Sequence, residues 1–296
     1  IPWQGDRFLE VDSEGAIVWE WNTFDHLTLD EYNPLWIEFY NGNGNFDWTH
    51  SNSVYFDPAT NLVYISIRNL SRITAIDYDS KDIVWNLGNE SFMDQPSFDN
   101  DFGFSHQHSA QITDSGNLFF FDNGRDNFPE LSRCLEIEFT DQQNPSLVWE
   151  YILPDSMLTL SRGECDRLPS GNALISAGRT GNVIEVNNEK EIVWNLNVKE
   201  GSAFLNNQSV SIFRSERVPN LFPGVFSFEV DNLQGELGSY YLDSYNGTLE
   251  FTIHNQGWHS QEFSYAIEGS QGSLLLENNV FIESNSSHLV EQSIDL

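Results

Sequence analysis

The chain has 296 residues, 39% of them hydrophobic and 14% aromatic, and its 45 acidic against 13 basic residues give a formal charge of −32. Such apolar content supports one large core or two modest ones and excludes a disordered chain, while the charge repels phosphate backbones and excludes nucleic acid as a partner. No run approaches the eighteen apolar residues of a membrane span, so no membrane insertion is expected, and Ile1-Pro2-Trp3-Gln4 has no signal-peptide character, so any leader is expected to have gone.

In chain order, the first predicted element is a hairpin, Phe8-Leu9-Glu10-Val11 returning through Ile17-Val18-Trp19. The second run recurs as Ile83-Val84-Trp85, Leu147-Val148-Trp149 and Ile192-Val193-Trp194. Upstream of the last three, an asparagine opens an apolar run: Asn61-Leu62-Val63-Tyr64-Ile65, Asn117-Leu118-Phe119-Phe120-Phe121 and Asn172-Ala173-Leu174-Ile175. The turns before those runs, Asp57-Pro58-Ala59-Thr60, Asp114-Ser115-Gly116 and Pro169-Ser170-Gly171, carry residues that pre-set φ or tolerate φ > 0. Each unit is therefore two hairpins, four short strands in roughly 35 to 50 residues, which is the arithmetic of a propeller blade. The predicted fold is all-β, a β-propeller of six-bladed type: half a blade, three full blades and a fifth unit around Val210 to Val230, with blades expected upstream of Ile1. Trp19, Trp85, Trp149 and Trp194 are expected to pack blade against blade. Helical periodicity is nearly absent; Pro154 to Leu160 allows a turn or two.

The last cation is Arg217, and the following 79 residues hold eleven acidic ones. There Thr248-Leu249-Glu250-Phe251-Thr252-Ile253 and Phe263-Ser264-Tyr265-Ala266-Ile267 alternate as half-exposed strands do. The expected division is residues 1–231 as propeller and 232–296 as a small acidic β appendage, with propeller-closing strands as the alternative. Cys134 and Cys165 are too few for a disulfide scaffold and lack CxxC spacing, which leaves room for one disulfide.

Histidine and arginine placement carries the chemistry. One cluster is Asp47-Trp48-Thr49-His50-Ser51-Asn52 with Ser66-Ile67-Arg68; the other is His106-Gln107-His108 with Phe121-Asp122-Asn123-Gly124-Arg125 and Ser132-Arg133. Both flank the Asn-led strand of successive units, and equivalent blade positions face one channel, so His50 and His108 are expected to meet there. Two imidazoles beside Arg68 and Arg125 supply a nucleophile or acid/base and fixed positive charge, suited to moving a small oxyanion. A structural reading fits the residues as well: histidines satisfying buried backbone groups and arginines paired with carboxylates. A metal site is the weaker reading, in which His106 and His108 point the same way on a strand with Asp47 or Asp122 nearby.

With Leu168-Pro169-Ser170-Gly171-Asn172 and Phe213-Arg214-Ser215-Glu216-Arg217-Val218-Pro219 added, the ordered series of motifs resembles the arylsulfotransferase family that uses no nucleotide sulfate donor, over roughly residues 8 to 225. The resemblance implies a six-bladed propeller, secreted or periplasmic, that moves a sulfuryl group from a phenolic sulfate ester to a phenol through a channel histidine, with no diffusible cofactor and no metal. Carried over by motif, His50, His108 and Arg125 are the catalytic candidates, and Arg68, Asn52 and Asn123 the substrate-binding ones. The family pattern has a further histidine after the Arg125-like position, whereas this chain has none between His108 and His254, so that His50 or His108 must then act as nucleophile. The alternative is a catalytically inactive propeller serving as an extracellular binding or assembly module, homo-oligomers included.

Overall fold

The computed structural model describes residues 2–36, 44–94, 96–140, 144–199, 210–218, 224–236, 239–242, 248–257, 259–268 and 274–293. The chain divides into two compact units, Ile1–Glu216 and Arg217–Leu296.

The first unit opens with β1 (Trp3–Gln4), β2 (Arg7–Val11), β3 (Ile17–Asn22), the short helix α1 (Thr23–His26) and β4 (Phe46–Asp47). β2 and β3 form the expected hairpin, with Phe8 opposite Trp21. β4 lies parallel to β1, Trp3 opposite Phe46, a long-range pairing that no local pattern announces. Three antiparallel four-stranded sheets follow. The first is β5 (Ser51–Asp57), β6 (Leu62–Ile67), β7 (Arg72–Asp77) and β8 (Ile83–Gly88). The second is β9 (His108–Ile112), β10 (Leu118–Asp122), β11 (Arg133–Thr140) and β12 (Asn144–Ile152). The third is β13 (Glu164–Arg167), β14 (Ala173–Ala177), β15 (Asn182–Val186) and β16 (Ile192–Asn197). Each sheet runs in sequence order, the construction of a propeller blade, and the fold is the all-β propeller type that the repeat predicts.

Blades bury both faces, which is why their inner strands read as continuous apolar runs. On β6, Val63, Ile65 and Ile67 face the core shared with Trp19, Trp21 and Trp48, while Leu62 and Tyr64 face the next core with Trp85, Leu118 and Phe120. On β10, Leu118 and Phe120 look back to that core, and Phe119 and Phe121 look forward to one containing Ile175 and Ile184. Trp19 stacks on Tyr78 and Trp85 on Phe139, with ring centroids 5.7 and 5.0 Å apart, and the Arg167 guanidinium lies 4.2 Å from the Trp149 ring. Three of the four repeat tryptophans thus pack blade against blade. Trp194 does not: it stays 46% exposed on β16, whose residues are all exposed, because no following blade covers that strand among the described residues. A disulfide joins Cys134 on β11 to Cys165 on β13 and ties two blades together.

The helical allowance after Pro154 appears as a single 3-10 turn, Asp155–Met157. The fifth unit does not form as read. Residues 210–218 hold no strand, 219–223 lie outside the described residues, and β17 (Phe226–Val230) pairs with β20 (Thr248–Asn255). That pairing moves the division from 231/232 to 216/217. In the second unit β20 also pairs with β23 (Ser286–Ser293), β18 (Leu233–Glu236) with β19 (Ser239–Leu242), and β21 (Gln261–Glu268) with β22 (Leu274–Ile282). Phe251, Ile253, Phe263, Ile282 and Val290 form its core. No helix among the described residues is long and apolar enough to cross a membrane.

Candidate active site

β5, β9 and β13 are the first strands of their blades and lie beside one another. The Ala110 amide donates to Ser53 Oγ at 3.0 Å, Ser109 Oγ donates to Gly163 O at 3.2 Å, and Gln111 Nε2 donates to Cys165 O at 2.7 Å. The residues that open these strands are thereby gathered at one end of the propeller. His50 directly precedes β5, His108 begins β9 and Glu164 begins β13.

His50 sits in a left-handed conformation, φ 47°. The Asp6 carboxylate clamps its two neighbours, accepting from the Thr49 hydroxyl at 2.5 Å and the Ser51 amide at 2.6 Å. Asp47, three residues earlier in the chain, holds the ring through Nδ1, and the side chain remains 46% exposed. A carboxylate on Nδ1 fixes the ring proton there and leaves the Nε2 lone pair outward.

His108 is 3% exposed. Its Nδ1 faces Asn123 Oδ1 at 2.6 Å and His106 O at 3.1 Å, and its Nε2 accepts from the Arg162 amide at 3.2 Å. Asn123 Nδ2 donates to Thr159 O at 2.6 Å and Arg162 O at 2.8 Å, which orients the amide so that its oxygen meets the imidazole and sets the Nδ1–H tautomer. Burial drives the His108 pKa down to about 3 against the help of Asn123, and the charges of Arg68 and His50 push the same way. Asn123 is fully buried, and its side chain is engaged with His108, Thr159 and Arg162.

Arg68 and Arg125 converge on one indole: their guanidinium carbons lie 5.0 and 4.6 Å from the Trp36 ring centroid. Trp36 Nε1 donates to His106 Nε2 at 2.8 Å, and Asp126 Oδ2 approaches the same nitrogen at 2.9 Å. Burial lowers the His106 pKa despite Asp126, with both arginines adding to the lowering. Gly124 lets Arg125 reach this position: at φ 60° its amide donates to Ser105 O at 3.0 Å, and a Cβ there would stand 1.8 Å from Leu131 O. Asn52 Nδ2 donates to Gln107 O at 2.7 Å, while its buried Oδ1 and the buried Ser51 Oγ have no hydrogen-bond partner among the described residues.

His106 and His108 do not share a strand face. β9 starts only at His108, and His106, at φ 54°, turns to Trp36 while His108 turns to Asn123. Among the described residues no three His, Cys, Asp or Glu side chains are grouped to hold a metal ion. A cavity of about 640 Å³ opens toward the other ends of the same strands, lined by Tyr55, Gln111, Asp114, Glu136, Asp166 and Arg167. Its carboxylates outnumber its one guanidinium and it contains none of the predicted residues, so it does not suit an oxyanion.

Sequence reasoning missed four contributors: Trp36, Asp47 as the partner of His50, the Arg162 amide, and Glu164. Counting back nine residues from Asn117 gives His108 and from Asn172 gives Gly163, one residue before Glu164, so linear register points next to Glu164 without naming it.

Taken together, the sheets define a β-propeller protein that gathers the candidate imidazoles and guanidiniums at the strand-opening end. Residues 2–162 match the arylsulfotransferase (ASST) family profile, and the chain belongs to that family. No curated protein matches the chain. Solved structures similar to it include Kuenenia stuttgartiensis hydrazine synthase, at 10% identity and TM-score 0.34 over 80% of this chain and 53% of that one. Virginiamycin B lyase from Staphylococcus aureus is similar at 14% identity and TM-score 0.34, over 84% of this chain and 71% of that one. A putative 6-phosphogluconolactonase from Bacteroides uniformis is similar at 10% identity and TM-score 0.40, over 95% and 67%. The chain spans about half the length of the hydrazine synthase chain, and likenesses of this degree carry no inference about the site.

Proposed function

We propose that the protein transfers a sulfuryl group from a phenolic sulfate ester to a phenol, with His50 as the covalent acceptor. The observation that carries this reading is the Asp47–His50 pair at the strand-opening end of the propeller, half-exposed, with His50 and Arg68 each acting by charge on the buried His108. His50 Nε2, with no partner among the described residues, forms a bond to sulfur as the aryl oxygen leaves. Asp47 balances the positive charge that the sulfurylated ring acquires. Arg68 and Arg125 offer fixed positive charge to the sulfate oxygens, and Asn52 offers polar atoms beside the ring; such preorganised charge is a large part of catalysis in sites of this kind. His108, whose Nε2 already accepts from the Arg162 amide, serves the site as a neutral, oriented wall. A secreted or periplasmic location fits the buried Cys134–Cys165 disulfide, since such bonds persist in oxidising compartments.

The test is intact-protein mass spectrometry after incubation with p-nitrophenyl sulfate, reading a sulfuryl adduct of about 80 Da on histidine as expected of nucleophilic catalysis. The adduct should vanish in His50→Ala and persist, more slowly formed, in His108→Ala. No adduct and no nitrophenol release from folded protein would remove the reading; an adduct lost only in His108→Ala would exchange the roles of the two histidines.

A further inference from the structure

We propose that Glu164 is the proton-exchanging catalytic group of this site, giving a proton to the departing aryl oxygen and taking one from the incoming phenol; the inference rests on the sulfuryl-transfer reading above. Glu164 opens β13 as His108 opens β9 and as His50 leads into β5, so three successive blades each present one titratable side chain at the same end of the first strand. The backbone leading into Glu164 meets the His108 strand: Gly163 O accepts from Ser109 Oγ, and the Arg162 amide donates to His108 Nε2. The segment after β16 covers both positions, Phe213 standing edge-on to the His108 ring at 6.0 Å and the Ser215 amide donating to Glu164 Oε2 at 3.1 Å.

The carboxyl is 9% exposed. Its Oε2 accepts from the Ser215 amide, while Oε1 makes no hydrogen bond among the described residues and is ion-paired with the half-exposed Arg214 Nε at 3.5 Å. Burial above all, with Asp166 on the same strand and Glu216, lifts its pKa to about 7 against the opposing Ser215 amide and Arg214. Of the charged groups facing it, two are carboxylates and one a half-exposed guanidinium. A carboxyl poised there exchanges protons near neutrality, where a general acid/base works best, whereas His108 stays neutral until about pH 3.

The proton and electron count closes. In the first half-reaction the His50 Nε2 lone pair forms the N–S bond, the S–O(aryl) bond breaks, and the aryl oxygen takes the Glu164 proton, leaving a carboxylate. In the second, the acceptor phenol passes its proton to that carboxylate as its oxygen bonds to sulfur, and the N–S electron pair returns to Nε2.

The experiment compares a donor whose phenolate leaves unaided, p-nitrophenyl sulfate, with one that needs protonation, phenyl sulfate, in wild type, Glu164→Gln and Glu164→Asp. Phenol release in the first half-reaction should fall about 10²- to 10⁴-fold with phenyl sulfate in Glu164→Gln, but less than about tenfold with p-nitrophenyl sulfate, and Glu164→Asp should recover part of the loss. In the wild type, which needs no variant to fold, the phenyl sulfate rate should decline as pH rises through about 7 while the p-nitrophenyl sulfate rate does not. Equal losses with both donors, or an identical wild-type pH profile for both, overturn the assignment while leaving sulfuryl transfer intact. A folded wild type inactive on both donors overturns the transfer reading and the role of Glu164 together.

Discussion

Acid should weaken the fold through His108, and the size of the effect follows from its burial. The imidazole is held neutral to about pH 3 in the fold, against about 6.5 in an unfolded chain. Above 6.5 neither state is protonated and the residue imposes no penalty. Below it the unfolded chain takes up a proton that the fold refuses, so stability falls by about 1.36 kcal/mol per pH unit until the folded value is reached. Between pH 6.5 and 4.5 the loss is about 2.7 kcal/mol, a large part of the 5–15 kcal/mol that typically holds a domain. Glu164, raised to about 7, and Asp122, raised to about 6, act with the opposite sign: their contributions are present in acid and are lost as pH rises through those values. The His108 share is therefore read as a difference. Urea midpoints of wild type and His108→Gln are measured from pH 7.5 to 4.5; the variant starts less stable for want of the imidazole packed against Phe213, and the gap should close by about 2.7 kcal/mol. A gap independent of pH, or a His108 ring that titrates near 6.5 by NMR, would refute the reasoning.

Removing the disulfide as Cys134→Ala with Cys165→Ala frees a span of 31 residues and should lower unfolding free energy by about 3 to 4 kcal/mol; an unchanged urea midpoint would mean the two blades hold each other without it. Trp85→Ala empties a core position at 6% exposure against Tyr64 and Phe139 and should cost about 3 to 5 kcal/mol. Trp194→Ala, from the equivalent position of the last described blade, should cost less than about 1 kcal/mol; similar losses in calorimetry would contradict the exposure of Trp194.

The blade repeat was legible because a sheet buried on both faces must be built from short apolar strands with turn residues between them, and Asn61, Asn117 and Asn172 mark those strands without ambiguity. The fifth unit misled for the same reason: Val225-Phe226-Ser227-Phe228 has strand composition, yet composition does not say which strand it joins, and here it is β20. His50, His108, Arg68 and Arg125 stood out as scarce charge-bearing side chains in an acidic chain. Their local roles did not, because Asn123 is read as a ligand residue until its amide is seen held by Thr159 and Arg162.

Linear order determined the all-β class, the number of four-stranded units, the two-sided burial of β6 and β10, and the shortlist of imidazoles and guanidiniums, since each depends on short-range spacing. Tertiary structure alone decided which of them meet. His108 meets the Arg162 amide of the next blade, and Trp36 receives arginines from two blades. Glu164 acquires its protonation state from burial beside Asp166 and the segment carrying Arg214 and Ser215. Contacts of that kind join residues far apart in the chain, and desolvation is a property of the packed space around a group, which no local pattern encodes.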